Sequence, residues 1–554
     1  MTGILNFCVV IFVVFITACS TTDNVAEVAR PNILLIVVDD MGMADLASFG
    51  GEIATPNIDN LAMRGTKFSN FHSAPVCSAT RVMMLTGVDN HKAGIGNMAE
   101  ELAPNQVGKP GYEGEINNRV ITIASILKNQ GYQTYMAGKW HLGMTQESSP
   151  WARGFERSFA LLPGGASHFS DMKPAYHPDP NGKAPYRQDQ HMLDELPDNF
   201  EYSTQFYADE MIKYIEQGNS DKPYFAYLSF TAPHWPLQAP LKTVEKYRGK
   251  YDIGYDVITQ QRLEKQKQLG IVPNWAQINK QTSKTTKRVP WNELDKAQQQ
   301  TQAKAMEIYA AMIEEIDNHT GRVIDVLRKR GELDNTIVIF LSDNGAEGHD
   351  VDETWPMETF PEIRKNINAR HDFSYENMGQ PNSYVFYGAD WAQAGSPVYN
   401  LYKGFPTEGG TRVPAFITYP KYFSEGINHA YSSVKDIVPT LLDVTSIEHP
   451  SQTNSPLDLE VPTGDSMIQS SNPERIEGTE ILGKYSLQQG QWKIVNMPVP
   501  YGNGEWQLYN LAKDLSESQD LSQQYPDMLA ELIKEWENYK TNNGVILPNE
   551  VSGY

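Results

Sequence analysis

Only three cysteines occur in 554 residues, at positions 8, 19 and 77, and positive charge is scarce. Lys and Arg total 46 against 68 Asp and Glu, a formal net charge of −22. That imbalance repels phosphate backbones and argues against nucleic acid as a partner. A small anionic substrate stays admissible, because a cationic pocket outweighs distant surface charge that salt screens beyond about 10 Å. Long apolar runs are missing too: Ile4 to Ala18 is mostly apolar, yet shorter than the roughly 20 residues a spanning helix needs. No internal repeat or collagen-like segment appears. What remains, 40% hydrophobic and 10% aromatic residues, is globular and sufficient for a sizeable core.

The start of the chain reads as an export segment, a signal peptide over residues 1–18 followed by a linker over 19–30. It ends in "ITACS", which resembles the lipobox of bacterial lipoproteins, with cleavage before Cys19 and lipid on its thiol. The opening "MTG" carries no Lys or Arg, so an ordinary cleaved signal or a true start further along stays open. In the lipoprotein reading the membrane is met through the lipid alone. The expected location is the periplasm or the outer membrane of a Gram-negative bacterium. Cys8 then leaves, Cys19 is acylated, and Cys77 is the one thiol of the mature chain. No intramolecular disulfide framework is possible.

Four stretches, "NILLIVVDD", "YQTYMAGKWH", "YFAYLSFTAPH" and "TIVIFLSDNG", each read as a buried strand running into a loop. Helical patterns lie between them, such as "EIYAAMIEEIDNHTGRVIDVLRKRG". The alternation predicts an α/β domain over residues 31–429, interrupted by a polar Gln- and Lys-rich insertion at 237–304. A smaller α+β domain is expected over 430–554, with an amphipathic helix carrying Leu529, Leu532, Ile533 and Trp536 on one stripe.

All four strands end in charged or ligating residues: Asp39 and Asp40, Lys139 and His141, His234, and Asp343 with Asn344. Sites in open α/β sheets form beyond the carboxyl ends of strands, so these groups belong to one site. Three carboxylates and an amide carbonyl are hard oxygen ligands, suited to Ca²⁺ or Mg²⁺ more than to zinc. In "APVCSATRVMMLTG" a helix begins just after Cys77, a position that favours an anion. Arg81, one turn on, is placed to reach the same anion with a planar fork of donors.

"CSATR", in order with "VVDD", "GKWHLG", "APHWP" and "SDNGAEG", resembles the signature set of type I, formylglycine-dependent sulfatases. The stretch His371 to Pro420 is similar to their bacterial arylsulfatase branch, and the likeness runs from Pro31 to the C-terminal helix. Ala79 stands where many members have proline. The resemblance implies an alkaline-phosphatase-like fold, with a large mixed sheet flanked by helices. It implies oxidation of Cys77 to formylglycine (3-oxoalanine) by a formylglycine-generating or radical maturation enzyme. Ca²⁺ would be held by Asp39, Asp40, Cys77, Asp343 and Asn344. Arg81, Lys139, His141, His234 and Lys403 would surround the sulfate of a small-molecule or saccharide ester. In that scheme His234, with Lys403, protonates the departing oxygen, and His141 takes the proton whose loss releases sulfate. Two rivals stand beside it: a phosphonate or phosphodiester hydrolase of the same superfamily, and a silent lipoprotein that binds sulfated glycans.

Overall fold

Asn32–Val38 explains the architecture, because every one of its seven residues is buried. Leu34, Ile36 and Val38 face one apolar layer, while Ile33, Leu35 and Val37 face the other. A strand covered on both faces needs helices above and below it. The computed structural model describes residues 30–175, 179, 181–280, 289–354, 357–358, 360–452, 458–469, 472–550 and 552. The signal peptide, the lipobox and Cys19 lie outside the described residues.

Among the described residues the large sheet has ten strands. Asn32–Val38 pairs in parallel with Thr336–Ser342 on one side and Tyr224–Ser229 on the other. Gln133–Lys139 continues beyond Tyr224–Ser229, and Arg157–Leu161 follows, both in parallel. Ala415–Thr418 runs antiparallel to Thr336–Ser342, which makes the sheet mixed. The four strands read from the sequence are therefore neighbours at its centre, with their carboxyl ends on one edge.

The stretch 237–304 is more than surface decoration. Its helix Tyr255–Leu269 buries Tyr255, Ile258 and Leu263 in the core. Arg262 on that helix is buried and bonds Asp45 at 2.7 Å and Glu52 at 2.7 Å. The long helix Lys296–Lys329 begins inside the same stretch, at a capping box made by Asp295 and Gln298. Its few apolar positions hid this role, because the burial is carried by one arginine and scattered aromatics.

The expected boundary at 430 falls between Gly426–Asn428, which pairs with Thr66–Phe68 in the large sheet, and Ser432–Ser433. The helix Ile437–Thr445 still belongs to the main apolar layer. The small antiparallel sheet comes later, in the order Ile476–Ile481, Lys484–Gln489, Trp492–Asn496, Gln507–Asn510. Helix Pro526–Asn543 lies on it, burying Leu532 and Trp536 with Leu529 and Ile533 packed alongside. Pro31 to Tyr554 forms one compact unit.

Charge also ties the small sheet to the loop around residues 89–91. His91 bonds Asp89 at 2.9 Å and Glu480, on the small sheet, at 3.0 Å. Burial opposes its charge, but the two carboxylates outweigh burial and raise its pKa to about 9 from 6.5. This contribution is complete below the unfolded value of 6.5 and is lost as pH rises through 9. Melting temperature should therefore fall between those two pH values, by the equivalent of about 3 kcal/mol at most. His91→Gln should flatten that fall in a calorimetric pH series; an unchanged slope would remove the link.

Candidate active site

Asp39 and Asp40 sit directly beyond Val38, and Asp343 and Asn344 directly beyond Ser342, so two adjacent strand ends deliver four ligating groups. Asp40 holds a left-handed φ of 70° and His141 one of 56°. Positive φ at non-glycine residues is uncommon and clusters at functional sites, where the surroundings over-determine it. The Asp40 N–H donates to Asp343 Oδ1 at 3.3 Å, and Asn344 Nδ2 donates to Asp40 Oδ1 at 2.6 Å. Cys77 opens the helix Cys77–Thr86, which ends at Gly87 with φ 72°.

The cations close around these carboxylates. Lys139 Nζ donates to Asp39 Oδ2 at 2.5 Å. Lys403 Nζ lies 2.9 Å from Asp40 Oδ1 and 3.2 Å from Glu347 Oε2. Arg81 is fully buried behind the cluster. Its Nε donates to Asp343 Oδ2 at 2.8 Å, and its Nη1 to the Lys139 carbonyl at 3.0 Å and Ser229 Oγ at 2.5 Å. Arg81 and Lys139, both expected at the anion, are buried and bonded to Asp343 and Asp39. Cys77, His141, His234 and Lys403 line the open cavity beside them.

A divalent cation fits this cluster. Ligand atoms of Asp39, Asp40, Cys77 and His234 lie within 4.8 Å of one another. Asp39 Oδ1 and Asn344 Oδ1 are buried with no hydrogen-bond partner, which is costly unless something positive meets them. Burial, then Asp343, pushes the Asp39 carboxyl up to about 8. Burial pushes Asp40 up to about 6 against the pull of Lys403. Burial also works upward on Asp343, but Arg81 and Lys139 outweigh it and hold it below the usual range. With Glu347 the cluster sets four carboxylates against Arg81, Lys139 and Lys403, and the raised Asp39 and Asp40 carboxyls mark where a further cation would be welcome.

The histidines are neutral and oriented. Burial, then Lys403 and Lys139, lowers His234 well below the ordinary range. Its Nδ1 donates to the Trp235 carbonyl at 2.6 Å, which leaves Nε2, 3.6 Å from Asp40 Oδ2, without a proton. His141 Nε2 donates to Glu100 Oε1 at 3.2 Å, and its buried Nδ1 has no partner. Glu347 was within reach of sequence reasoning, being four residues past Asp343 in "SDNGAEG". Trp235, from "APHWP", and Gly164 and Gly165, from the loop "LLPGGASHFSD" expected to shape the pocket, also line the cavity, as does Glu100, which no residue pattern marks.

An alkaline-phosphatase-like sheet, a metal-ready carboxylate cluster and a small anion pocket over a buried side chain together define a hydrolase of oxyanion esters. Residues 31–447 match the family model described as Sulfatase, and the chain belongs to that family as a sulfuric ester hydrolase. It is 41% identical over 540 residues to an uncharacterized sulfatase of Schizosaccharomyces pombe, covering 94% of this chain and 95% of that one. It is 37% identical over 437 residues to an arylsulfatase of Klebsiella aerogenes, covering 77% and 89%. The crystal structure of Ps i-CgsB in complex with k-i-k-neocarrahexaose superposes with a TM-score of 0.63 at 23% identity, covering 94% and 95%.

The Arg81 geometry carries a test. Arg81→Lys keeps the charge but cannot bond Asp343 and the Lys139 carbonyl from one rigid fork. Leaving a buried carboxylate short of its partner should reduce kcat/KM by on the order of 10²-fold or more and lower the melting temperature. Rates near wild type would show that the guanidinium does not hold Asp343.

Proposed function

We propose that the protein hydrolyses sulfate monoesters through a formylglycine made from Cys77, beside Ca²⁺ held by Asp39, Asp40, residue 77, Asp343 and Asn344. One observation carries this reading. Cys77 lines the reaction cavity, yet it is 2% exposed and burial, with Asp39, pushes its thiol well above the ordinary range. A cysteine that attacks as a thiolate is held in the opposite condition, with a lowered pKa. The position suits a precursor rather than a finished nucleophile. Apart from His234, the groups gathered beside residue 77 offer oxygen alone, which favours Ca²⁺ over zinc.

The hydrated aldehyde and the cation supply a hydroxyl ionised near neutral pH, and a second hydroxyl whose proton loss releases sulfate. The chain's own groups do the rest. Lys403 brings its ammonium to the cavity wall, where it meets the ester's oxygens and stabilises charge as the S–O bond breaks. Lys139 and Arg81 act from behind, by fixing Asp39 and Asp343. His234 holds its Nδ1 proton on the Trp235 carbonyl, so Nε2 is the atom that gains and then delivers a proton. The anionic ester offsets the repulsion from Lys403 and Lys139 that otherwise keeps it neutral. His141, with Nε2–H tied to Glu100, presents Nδ1 as the acceptor for the second hydroxyl's proton. The location follows the sequence reading: we place the protein outside the cytoplasm, anchored through lipid on Cys19.

Peptide mass spectrometry across Cys77 in active protein should show loss of the thiol and gain of an aldehyde, and Cys77→Ala should abolish turnover with the fold intact. An unmodified thiol in fully active enzyme would overturn the reading. The proton donor has its own test. General acid catalysis contributes about 10²–10⁴-fold, and less for a leaving group that is stable as an anion. His234→Ala should therefore slow alkyl sulfates far more than nitrophenyl sulfate in single-turnover measurements. Equal losses on both would move the donor role to Lys403.

A further inference from the structure

The floor and the rim of the cavity carry opposite charge. Over Cys77 lies a narrow cavity, with buried Lys403 and His234 and partly buried His141 in its wall. Exposed Glu100 and half-buried Glu101 stand on its more open side, and Met98, Ala175 and Trp235 are buried apolar lining. Glu100 accepts from His141, and Glu101 accepts from Ser552 Oγ at 2.7 Å. Glu101 is pushed up to about 7, by burial first, with Glu100 adding to it. Lys484 is the basic side chain that opposes this, and burial takes Lys484 itself down to about 7. Two lining side chains also keep buried polar atoms without a partner, His141 Nδ1 and Trp235 Nε1. The glycine pair opposite brings the wall close: a Cβ at Gly164 would meet His141 Cε1 at 2.8 Å, and one at Gly165 would meet His234 Cε1 at 3.2 Å.

A sulfate seated against Lys403 leaves its alcohol portion on the rim, facing two carboxylates and an apolar wall. We propose that Glu100 and Glu101 make the leaving-group side of this pocket a charge filter, which admits monosulfate esters of cationic or neutral flat alcohols and turns away those bearing a second anion. This rests on the sulfatase reading and adds the substrate class. The physical basis is simple. A second sulfate or carboxylate on the substrate meets like charge in a partly desolvated place, while an ammonium group there relieves the crowding of Glu100 on Glu101.

Three aryl sulfates of similar leaving-group basicity test it: those of tyramine, 4-ethylphenol and 3-(4-hydroxyphenyl)propionate, carrying an ammonium, no charge and a carboxylate. At about pH 8 Glu101, pushed up to about 7, is mostly ionised, and kcat/KM should fall in that order. The ammonium ester should exceed the carboxylate ester by about 10- to 100-fold, the scale of a charge reversal at a screened site. Glu101→Gln should compress that ratio, and Glu100→Gln with Glu101→Gln should bring it close to one. Reading a ratio within each variant cancels any general loss that Glu100→Gln causes through His141. If the double variant fails to fold, wild type still decides, since raising NaCl from about 0.05 M to about 0.5 M should shrink the ratio. Equal kcat/KM for the three esters, or a preference for the carboxylate, overturns the filter and leaves the sulfatase reading standing. No hydrolysis of any of them by protein carrying the aldehyde overturns the sulfatase reading itself.

Discussion

Three carboxylates buried side by side are the constraint from which the rest of the structure follows. Asp39, Asp40 and Asp343 are all 0–1% exposed, and none has bulk water to solvate its charge. Isolated buried charges cost several kcal/mol each, so such a cluster exists only if counter-charges are built around it. Arg81, Lys139 and Lys403 are those counter-charges, each supplied by a different part of the chain. Their pairing is still incomplete, as the raised Asp39 and Asp40 carboxyls and the orphaned Asp39 Oδ1 and Asn344 Oδ1 show. The deficit has the sign and place of a bound cation.

A second ring of buried ions keeps the first in position. Tyr309 OH donates to Asp45 Oδ2 at 2.8 Å and to the Asp40 carbonyl at 3.2 Å, and Asp45 Oδ2 also accepts from the Gly42 N–H at 2.8 Å. Arg262 closes that arrangement from the insertion. On the other flank, Glu408, five residues beyond Lys403, is bonded by Lys493 at 2.8 Å, by Arg412 at 3.1 Å and by His72 at 3.3 Å. Lys493 comes from the small sheet, so the loop bearing Lys403 is tied to the C-terminal part of the chain. Breaking a buried pair by removing one partner costs about 3–5 kcal/mol. A large share of the chain therefore serves to keep a few strand-end side chains fixed.

How much of this the sequence disclosed depends on how local each signal is. Strand ends are local: an apolar run followed by Asp-Asp or Asp-Asn shows both the strand and the ligands, and Asp39, Asp40, Asp343 and Asn344 were legible for that reason. Cys77 and Arg81 were legible through their spacing on one helical turn. Their complete burial was not. Lys403 had no local signal and rested on family likeness. Arg262 and Asp45 are 217 residues apart, and no pattern within either segment announces the pair. The sequence left open whether the insertion covers a site or decorates the surface, because its polarity masks a buried contribution carried by the charged Arg262. Glu100 and Glu101 escaped for the same reason: acidic residues on an acidic chain carry no signal until the fold sets them over a cationic floor.

That vertical separation of charge has a consequence for how specificity can vary. The floor must recognise a sulfate and hold its carboxylates and cations in balance, so a change there disturbs a coupled electrostatic cluster. The rim is reached after those demands are met. Met98, Glu100 and Glu101 lie on a short segment between buried turns, and Glu100 has a side chain 19% exposed. Glu100 is tied to His141, so of the two carboxylates Glu101 is the one whose replacement leaves the catalytic groups with their partners. In the proposed reading, chemistry rests on the strand ends and substrate choice on the short helical turn Ala99–Glu101. A fold organised in this way can keep a single reaction while changing the alcohol from which sulfate is taken.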